Sequence, residues 1–184
     1  MNDEELVVLL DDDGREIGTA AKSSVHGTDT ALHLAFSCHV LNPAGELLVT
    51  RRAVTKKTWP GVWSNSFCGH PRPAEPLLSA VRRRAEYELG LTLTDIELSL
   101  PLFRYRAVDA SGIVEHELCP VYTARTSAEP VLNPNEVAEA RWVDPLALTR
   151  SLEATPWAFS PWLVLQARQL HVFDSLTASG RGAT

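Results

Sequence analysis

Apolar and polar positions along this chain alternate mostly in short runs, and a helical period shows in only a few places. Residues 5–10 form an apolar run, Asp11-Asp12-Asp13-Gly14 follows, and residues 15–19 resume the run. That pattern predicts a strand, a tight turn and a second strand. The aspartates suit the turn better than a metal loop, because aspartate bonds its own backbone there and Gly14 supplies positive φ. Residues 32–41 predict a buried strand, which Asn42-Pro43-Ala44-Gly45 turns into a further run at 46–52. Residues 77–89 place Leu77, Leu78, Val81, Ala85 and Leu89 at helical spacing, closed by Gly90 as a C-terminal cap. Strands are predicted at 100–107 and 113–123, around the turn Asp109-Ala110-Ser111-Gly112, and again at 137–143. Asp144 can cap a following helix, and residues 159–173 read as an amphipathic helix carrying Trp162, Leu163, Leu165 and Leu170. No repeat, low-complexity tract or linker interrupts the series. The expectation is one α+β domain over residues 1–176 and a small, polar, fraying tail over 177–184.

Composition narrows the function. The 184 residues are 45% hydrophobic and 22% charged, enough to bury a core without disulfides. With 17 basic against 23 acidic side chains the net charge is −6, which speaks against a nucleic-acid partner. An anionic ligand would need a locally basic or metal-loaded site. Cys38, Cys68 and Cys119 have neither metal-site nor redox-motif spacing, so reduced thiols are expected. The N-terminus is acidic where a secretory signal would be basic, and no apolar run approaches the roughly 18 residues of a membrane span. A cytoplasmic protein without membrane attachment, monomeric in the simplest case, is the expectation.

Several residues could carry chemistry. Arg51, Arg52, Lys56 and Lys57 stand beside Trp59-Pro60-Gly61-Val62-Trp63, which suggests a local anion pocket in so acidic a chain. Of six histidines, His33 starts the strand at 32–41, His26 lies in the loop before it, and His70 sits in a glycine-proline turn. Three histidines that converge with carboxylates make a metal site. Glu115 and Glu117 alternate along a predicted strand and so share a face, with His116 on the other. Paired carboxylates on a core strand are costly unless a metal or a base compensates them. Cys68, in Asn65-Ser66-Phe67-Cys68-Gly69-His70-Pro71, would become a reactive thiolate beside a cation or metal. Cys38 and Cys119 sit in apolar strands and read as inert.

The most specific motif runs from Gly69 through Glu75, Arg83, Glu88 and Gly90 to Leu91. It resembles the Nudix box, G-x5-E-x7-R-E-U-x-E-E-x-G-U, with Arg84 and Tyr87 in place of two glutamates. Those helix glutamates carry the metals of Nudix hydrolases, so the departure argues against hydrolysis, while Arg84 suits phosphate oxygens. Flanking segments extend the resemblance: Thr30-Ala31-Leu32-His33-Leu34-Ala35-Phe36, Thr58-Trp59-Pro60-Gly61-Val62-Trp63-Ser64-Asn65, Phe103-Arg104-Tyr105-Arg106-Ala107, Gly112-Ile113-Val114-Glu115-His116-Glu117 and Thr155-Pro156-Trp157-Ala158-Phe159-Ser160-Pro161-Trp162. Together they resemble the type I isopentenyl diphosphate isomerase family over nearly the whole chain.

That resemblance implies a Nudix-like α/β/α sandwich with a mixed central sheet. It implies interconversion of isopentenyl and dimethylallyl diphosphate through a tertiary carbocation-like species, in the service of isoprenoid synthesis. Cys68 and Glu117 would be the catalytic pair, with Tyr105 bonded to Glu117. Glu117 with Tyr105 is expected to protonate the alkene and Cys68 to take the second proton, the roles exchanging with direction. His26, His33, His70, Glu115 and Glu117 would bind Mn²⁺, Mg²⁺ or Zn²⁺. A second ion, Mg²⁺, would bridge the substrate diphosphate to Glu88 and the Cys68 carbonyl. Lys22, Arg52, Lys56 and Arg84 would hold the phosphates, Trp162 would lie over the cation, and no flavin is expected. The rivals are a Nudix hydrolase and a non-catalytic metal- or diphosphate-binding module.

Overall fold

Residues 5–173 are described by a computed structural model. In chain order they form β1 (Leu6–Leu10), β2 (Glu16–Ala21), α1 (Lys22–Val25), β3 (His33–Leu34), β4 (Phe36–Leu41), β5 (Leu47–Arg52), β6 (Trp63–Ser64) and β7 (Phe67–Gly69). Then come α2 (Leu77–Leu89), β8 (Thr94–Leu100), β9 (Arg104–Val108), β10 (Val114–Leu118), β11 (Val121–Arg125), β12 (Val137–Val143), α3 (Pro145–Ala154) and α4 (Pro161–Ala167). Short 3₁₀ turns stand at Pro156–Ala158 and His171–Phe173. The tail expected at 177–184 lies outside the described residues.

The strands make two sheets, of which the mixed one between helices is the central sheet expected. The first has the order β2-β1-β3-β10-β9, and the second β12-β5-β4-β11-β8, with β6 beside β5 and β7 beside β4. The reason is a paired break. The run at 32–41 changes sheet at Ala35, and the run at 113–123 changes sheet at Cys119-Pro120, where proline has no N–H for a ladder. Both runs cross together, because β3 lies parallel to β10 and β4 parallel to β11. The Ala35 amide, bonded to the Leu118 carbonyl at 2.9 Å, holds the seam. Pro101 likewise divides the strand expected at 100–107 into the end of β8 and the start of β9.

The α+β class is as expected. One face of the second sheet buries Phe36, Cys38 and Val40 against Ala80, Val81, Ala85 and Leu89 of α2. The other face packs on Leu148 and Leu152 of α3 and on Trp162 and Leu163 of α4. α2 ends at Gly90, whose φ of 61° is the left-handed cap that glycine adopts without strain. Asp144 caps α3 by accepting from the Ala147 amide at 2.9 Å. The last helix is shorter than 159–173: Ser160 caps it, Pro161 opens it, and Arg168 is its C-cap.

Candidate active site

Strand register builds the histidine–carboxylate cluster. On β10, Glu117 is flanked by His33 of β3 on one side and Tyr105 of β9 on the other. Glu117 Oε1 lies 3.1 Å from His70 Nε2 and 3.5 Å from His33 Nε2, while its Oε2 accepts from the Tyr105 hydroxyl at 2.9 Å. His26 completes the group, and one ligand atom from each of His26, His33, His70 and Glu117 falls within 4.8 Å of the others. The His26 loop is tied down by Lys57 Nζ, which donates to the His26 carbonyl at 2.6 Å. Glu115 stands outside this tight group. Its Oε2 is 3.0 Å from His26 Nε2, and its Oε1 accepts from the Thr58 hydroxyl at 2.6 Å.

Two atoms of the cluster are buried and short of a well-formed hydrogen bond: His70 Nδ1, and His33 Nε2, whose contact with Glu117 is long at 3.5 Å. Buried imidazole nitrogens are rarely left so. Burial pushes His70 down to about 4, so its ring is neutral near pH 7. Burial opposes a charge on Glu117, but bonds from His33 and His70 outweigh it and hold the carboxyl well below its usual range. Burial opposes a charge on His33 as well, but its bond to Glu117 outweighs that and raises it above the ordinary value. Imidazole nitrogens converging on a carboxylate are the donor set that a divalent metal takes. The residues present therefore fit such an ion.

The thiol arrives from the other sheet. Cys68 lies on β7, and its S–H donates to Asn65 Oδ1 at 3.3 Å. Burial pushes this thiol up to about 12. Asn65 Oδ1 also accepts from Trp162 Nε1 at 3.0 Å, so one amide orients both the thiol and the indole. Trp162 is 2% exposed, meets Trp59 edge-on and Tyr105 at a tilt, and carries the Arg52 guanidinium 5.4 Å from its ring centre. It is at once a core anchor of α4 and a wall of the site. A cavity of about 740 Å³ opens where the sheets part, and Cys68, Glu117, Tyr105 and Trp162 all line it.

Lys22, Arg52, Lys56 and Arg84 line the same cavity. Lys22 pairs with Glu5 at 2.9 Å and Lys56 pairs with Glu136. Arg84 donates to Glu88 at 2.6 Å and lies 3.2 Å from Glu136. Arg52 donates to the Thr58 carbonyl at 2.9 Å. The loop entering α2 is fixed by a two-pronged bond from Arg83 to Glu75, at 2.8 and 2.6 Å. Gly69 is required by space, since a Cβ there would stand 2.8 Å from Arg84 Cγ and 3.0 Å from the Phe36 ring. His39, which shares a strand run with His33, is bonded to Gln166 instead of joining the cluster.

Sequence reasoning missed Thr58, Asn65 and Glu136 as contributors. Thr58 and Asn65 bound the tryptophan-rich segment already singled out. Glu136 carried no signal, because its partners Lys56 and Arg84 are distant in the chain.

The strand order, with α2 leading out of the Gly69–Glu75–Arg83 loop, defines a NUDIX-fold protein, and the NUDIX domain family matches residues 31–163. The solved structure of DR0079 from Deinococcus radiodurans superposes with a TM-score of 0.71 at 22% identity, covering 91% of this chain and 99% of that one. A MutT NUDIX hydrolase from Burkholderia pseudomallei gives a TM-score of 0.57 at 25% identity, covering 75% of this chain and 97% of that one. Sequence relatives are more specific. The isopentenyl-diphosphate Delta-isomerase of Agromyces mediolanus is 70% identical over 90% of this chain and 81% of its own length. That of Paenarthrobacter aurescens (strain TC1) is 60% identical over 92% of each chain. The chain belongs to the isopentenyl-diphosphate Delta-isomerase family.

Proposed function

We propose that this chain interconverts isopentenyl diphosphate and dimethylallyl diphosphate. The observation that carries the proposal is the placement of two proton-bearing groups, Cys68 on one sheet and Glu117 with Tyr105 on the other, around one cavity that five lysine and arginine side chains also line. Moving a double bond by one position adds a proton at one carbon and removes one two carbons away. That needs two groups on separate walls and no water between them.

Burial favours a protonated Cys68 thiol, and the bonds from His33 and His70 favour an ionised Glu117 carboxyl. The form so protonated starts the direction in which Cys68 delivers a proton and Glu117 Oε2 accepts one. The exchanged form, with the proton on Oε2 beside the Tyr105 hydroxyl, starts the other. Tyr105 holds Oε2 in place; its phenol stays protonated because burial, and then the charge of Glu117, raise it well above 10. Trp162 and Tyr105 present π-faces toward developing positive charge and exclude water.

His26, His33, His70 and Glu117, with Glu115 behind His26, would hold Mn²⁺, Mg²⁺ or Zn²⁺. Such an ion supplies positive charge beside Glu117 Oε1 and so tunes the acidity of that carboxyl. Glu88 and the Cys68 carbonyl would hold the Mg²⁺ shared with the diphosphate. Lys22, Arg52, Lys56 and Arg84 take the phosphate oxygens. All three cysteines are free thiols, which supports a cytoplasmic setting. The test is an isomerisation assay on isopentenyl diphosphate, with and without a chelator. Activity abolished by the chelator and restored by a divalent metal is expected. Phosphate release without isomerisation, or chelator-insensitive turnover, overturns the reading.

A further inference from the structure

β4 carries two polar side chains on a face that packs into the core. Phe36, Cys38 and Val40 face α2, whereas Ser37 and His39 point to the side of α4 and are 0% and 2% exposed. Buried hydroxyl and imidazole groups need partners, and Gln166 of α4, itself fully buried, bridges both. Gln166 Oε1 lies 2.9 Å from His39 Nε2, and Gln166 Nε2 lies 2.9 Å from Ser37 Oγ.

The chemistry of the amide orders these bonds. Its oxygen only accepts, so His39 Nε2 carries a hydrogen. Burial pushes His39 down to about 4, so the ring is neutral and this tautomer is the one present near pH 7. The amide nitrogen only donates, so Ser37 Oγ accepts from Gln166, and its own hydrogen must go elsewhere. The other polar neighbours of that oxygen are two sulfurs, Cys68 Sγ and Cys119 Sγ, each at 3.3 Å. The Cys119 thiol can donate to the second lone pair of Ser37 Oγ. The Cys68 hydrogen is engaged by Asn65 Oδ1, which must face the sulfur because Asn65 Nδ2 donates to the carbonyls of Cys38 and Phe67 at 3.0 and 2.8 Å. Cys68 Sγ can then only accept from Ser37, so the bond between the two runs from the hydroxyl to the sulfur. Ser37 and Cys68 are direct partners across the β4–β7 ladder, so the backbone holds the two side chains in register.

We propose that Ser37 is a positioning residue for isomerisation: its hydroxyl, directed by the Gln166–His39 pair, donates to the Cys68 sulfur and aims that sulfur at the substrate cavity. The inference rests on the isomerase reading of Cys68. It assigns a purpose to a polar stripe that a core strand would otherwise be better without. It also divides labour between the two walls of the sulfur, with Asn65 engaging the thiol hydrogen and Ser37 the lone pair.

The test is a kinetic double-mutant cycle with Ser37→Ala and Gln166→Met, with folding checked by thermal denaturation. Ser37→Ala is expected to lower kcat by roughly 10- to 100-fold, the cost of one hydrogen bond to the reacting group, with KM within about twofold of the parent. Gln166→Met is expected to lower kcat in the parent and to change it by less than about twofold in the Ser37→Ala background, because it acts through the hydroxyl. A Ser37→Ala protein with parental kcat, or a Gln166→Met loss that multiplies in full on top of Ser37→Ala, overturns the inference. Should Ser37→Ala fail to fold, Gln166→Met decides alone: a fall in kcat at constant KM supports the inference, and an unchanged kcat overturns it. An inactive parent chain would overturn the isomerase reading and this inference with it. An active parent with an unimpaired Ser37→Ala overturns only the inference.

Discussion

Replacing Tyr105 by phenylalanine removes one oxygen from the centre of the site. Tyr105 is 7% exposed, and its ring packs on Phe103 and Trp162, contacts that phenylalanine keeps. The loss is the 2.9 Å bond to Glu117 Oε2. A hydrogen bond to a charged group is worth about 1.5–3 kcal/mol, and the bare oxygen left behind in a buried site belongs in the same range. If that bond holds Oε2 on the path of the proton, kcat falls by roughly 10- to 150-fold. The other carboxylate oxygen faces His33 and His70, so metal content is expected to stay at the parental value. The assays are steady-state isomerisation of isopentenyl diphosphate and metal analysis of the purified variant. A Tyr105→Phe enzyme with kcat within twofold of the parent would refute the division of Glu117 into a proton-bearing and a metal-facing oxygen. So would one that loses its metal together with its activity.

Cys68→Ala and Glu117→Gln are each expected to reduce turnover by at least about a thousandfold, since each removes one of the two groups to which the proposed mechanism assigns proton transfer. Cys68→Ala should keep a melting temperature within a few degrees of the parent; turnover near the parental rate in either variant would leave a binding module as the better reading. His39 gives a stability test with a defined sign. Its proton is bound at about 4 in the folded chain against 6.5 in the free side chain, so the unfolded state binds more protons between those values. The stability contributed by the neutral ring is complete above pH 6.5 and is lost as the pH falls toward 4, up to about 3 kcal/mol. Urea denaturation of the metal-free parent and of His39→Gln at pH 7.5 and 4.5 should show a smaller acid loss in the variant; equal losses would refute the assignment.

Much of the site was legible because its residues sit in strong local patterns. Glu115 and Glu117 share a strand face by simple alternation, and β10 places them as that rule requires. α2 and its glycine cap follow from a helical apolar period closed by Gly90. The two-sheet division was not legible, because a lone Ala35 carries no breaking signal and the change of sheet depends on Cys119-Pro120 far along the chain. α4 was overextended because Leu170 continues the helical period, although it packs from outside the helix. Ser37, Gln166 and His39 were opaque for the same reason. Alternation alone makes Ser37 and His39 exposed or misplaced, and only a partner 127 and 129 positions away turns them into a satisfied network.

The charge of the chain is resolved at the same level. A protein of net charge −6 holds five lysine and arginine side chains around one cavity and gives three of them carboxylates of its own: Glu5 to Lys22, Glu136 to Lys56, and Glu88 with Glu136 to Arg84. Without partners, cations this enclosed would be costly. Even so, burial pulls Lys56 down to about 8, against the opposing charge of Glu88. Diphosphate binding under the isomerase reading is then an exchange, in which phosphate oxygens replace carboxylate oxygens on Lys56 and Arg84. Each released carboxylate needs a new counter-charge. Glu88 is at once the partner Arg84 gives up and the ligand assigned to Mg²⁺, so the exchange frees a ligand for the ion that accompanies the substrate. On this account Arg84, where the Nudix box has a glutamate, couples the departure from hydrolase chemistry to a diphosphate clamp. It withdraws one metal-binding carboxylate from the helix and adds a cation, held by Glu88 and Glu136, that an incoming anion can take over.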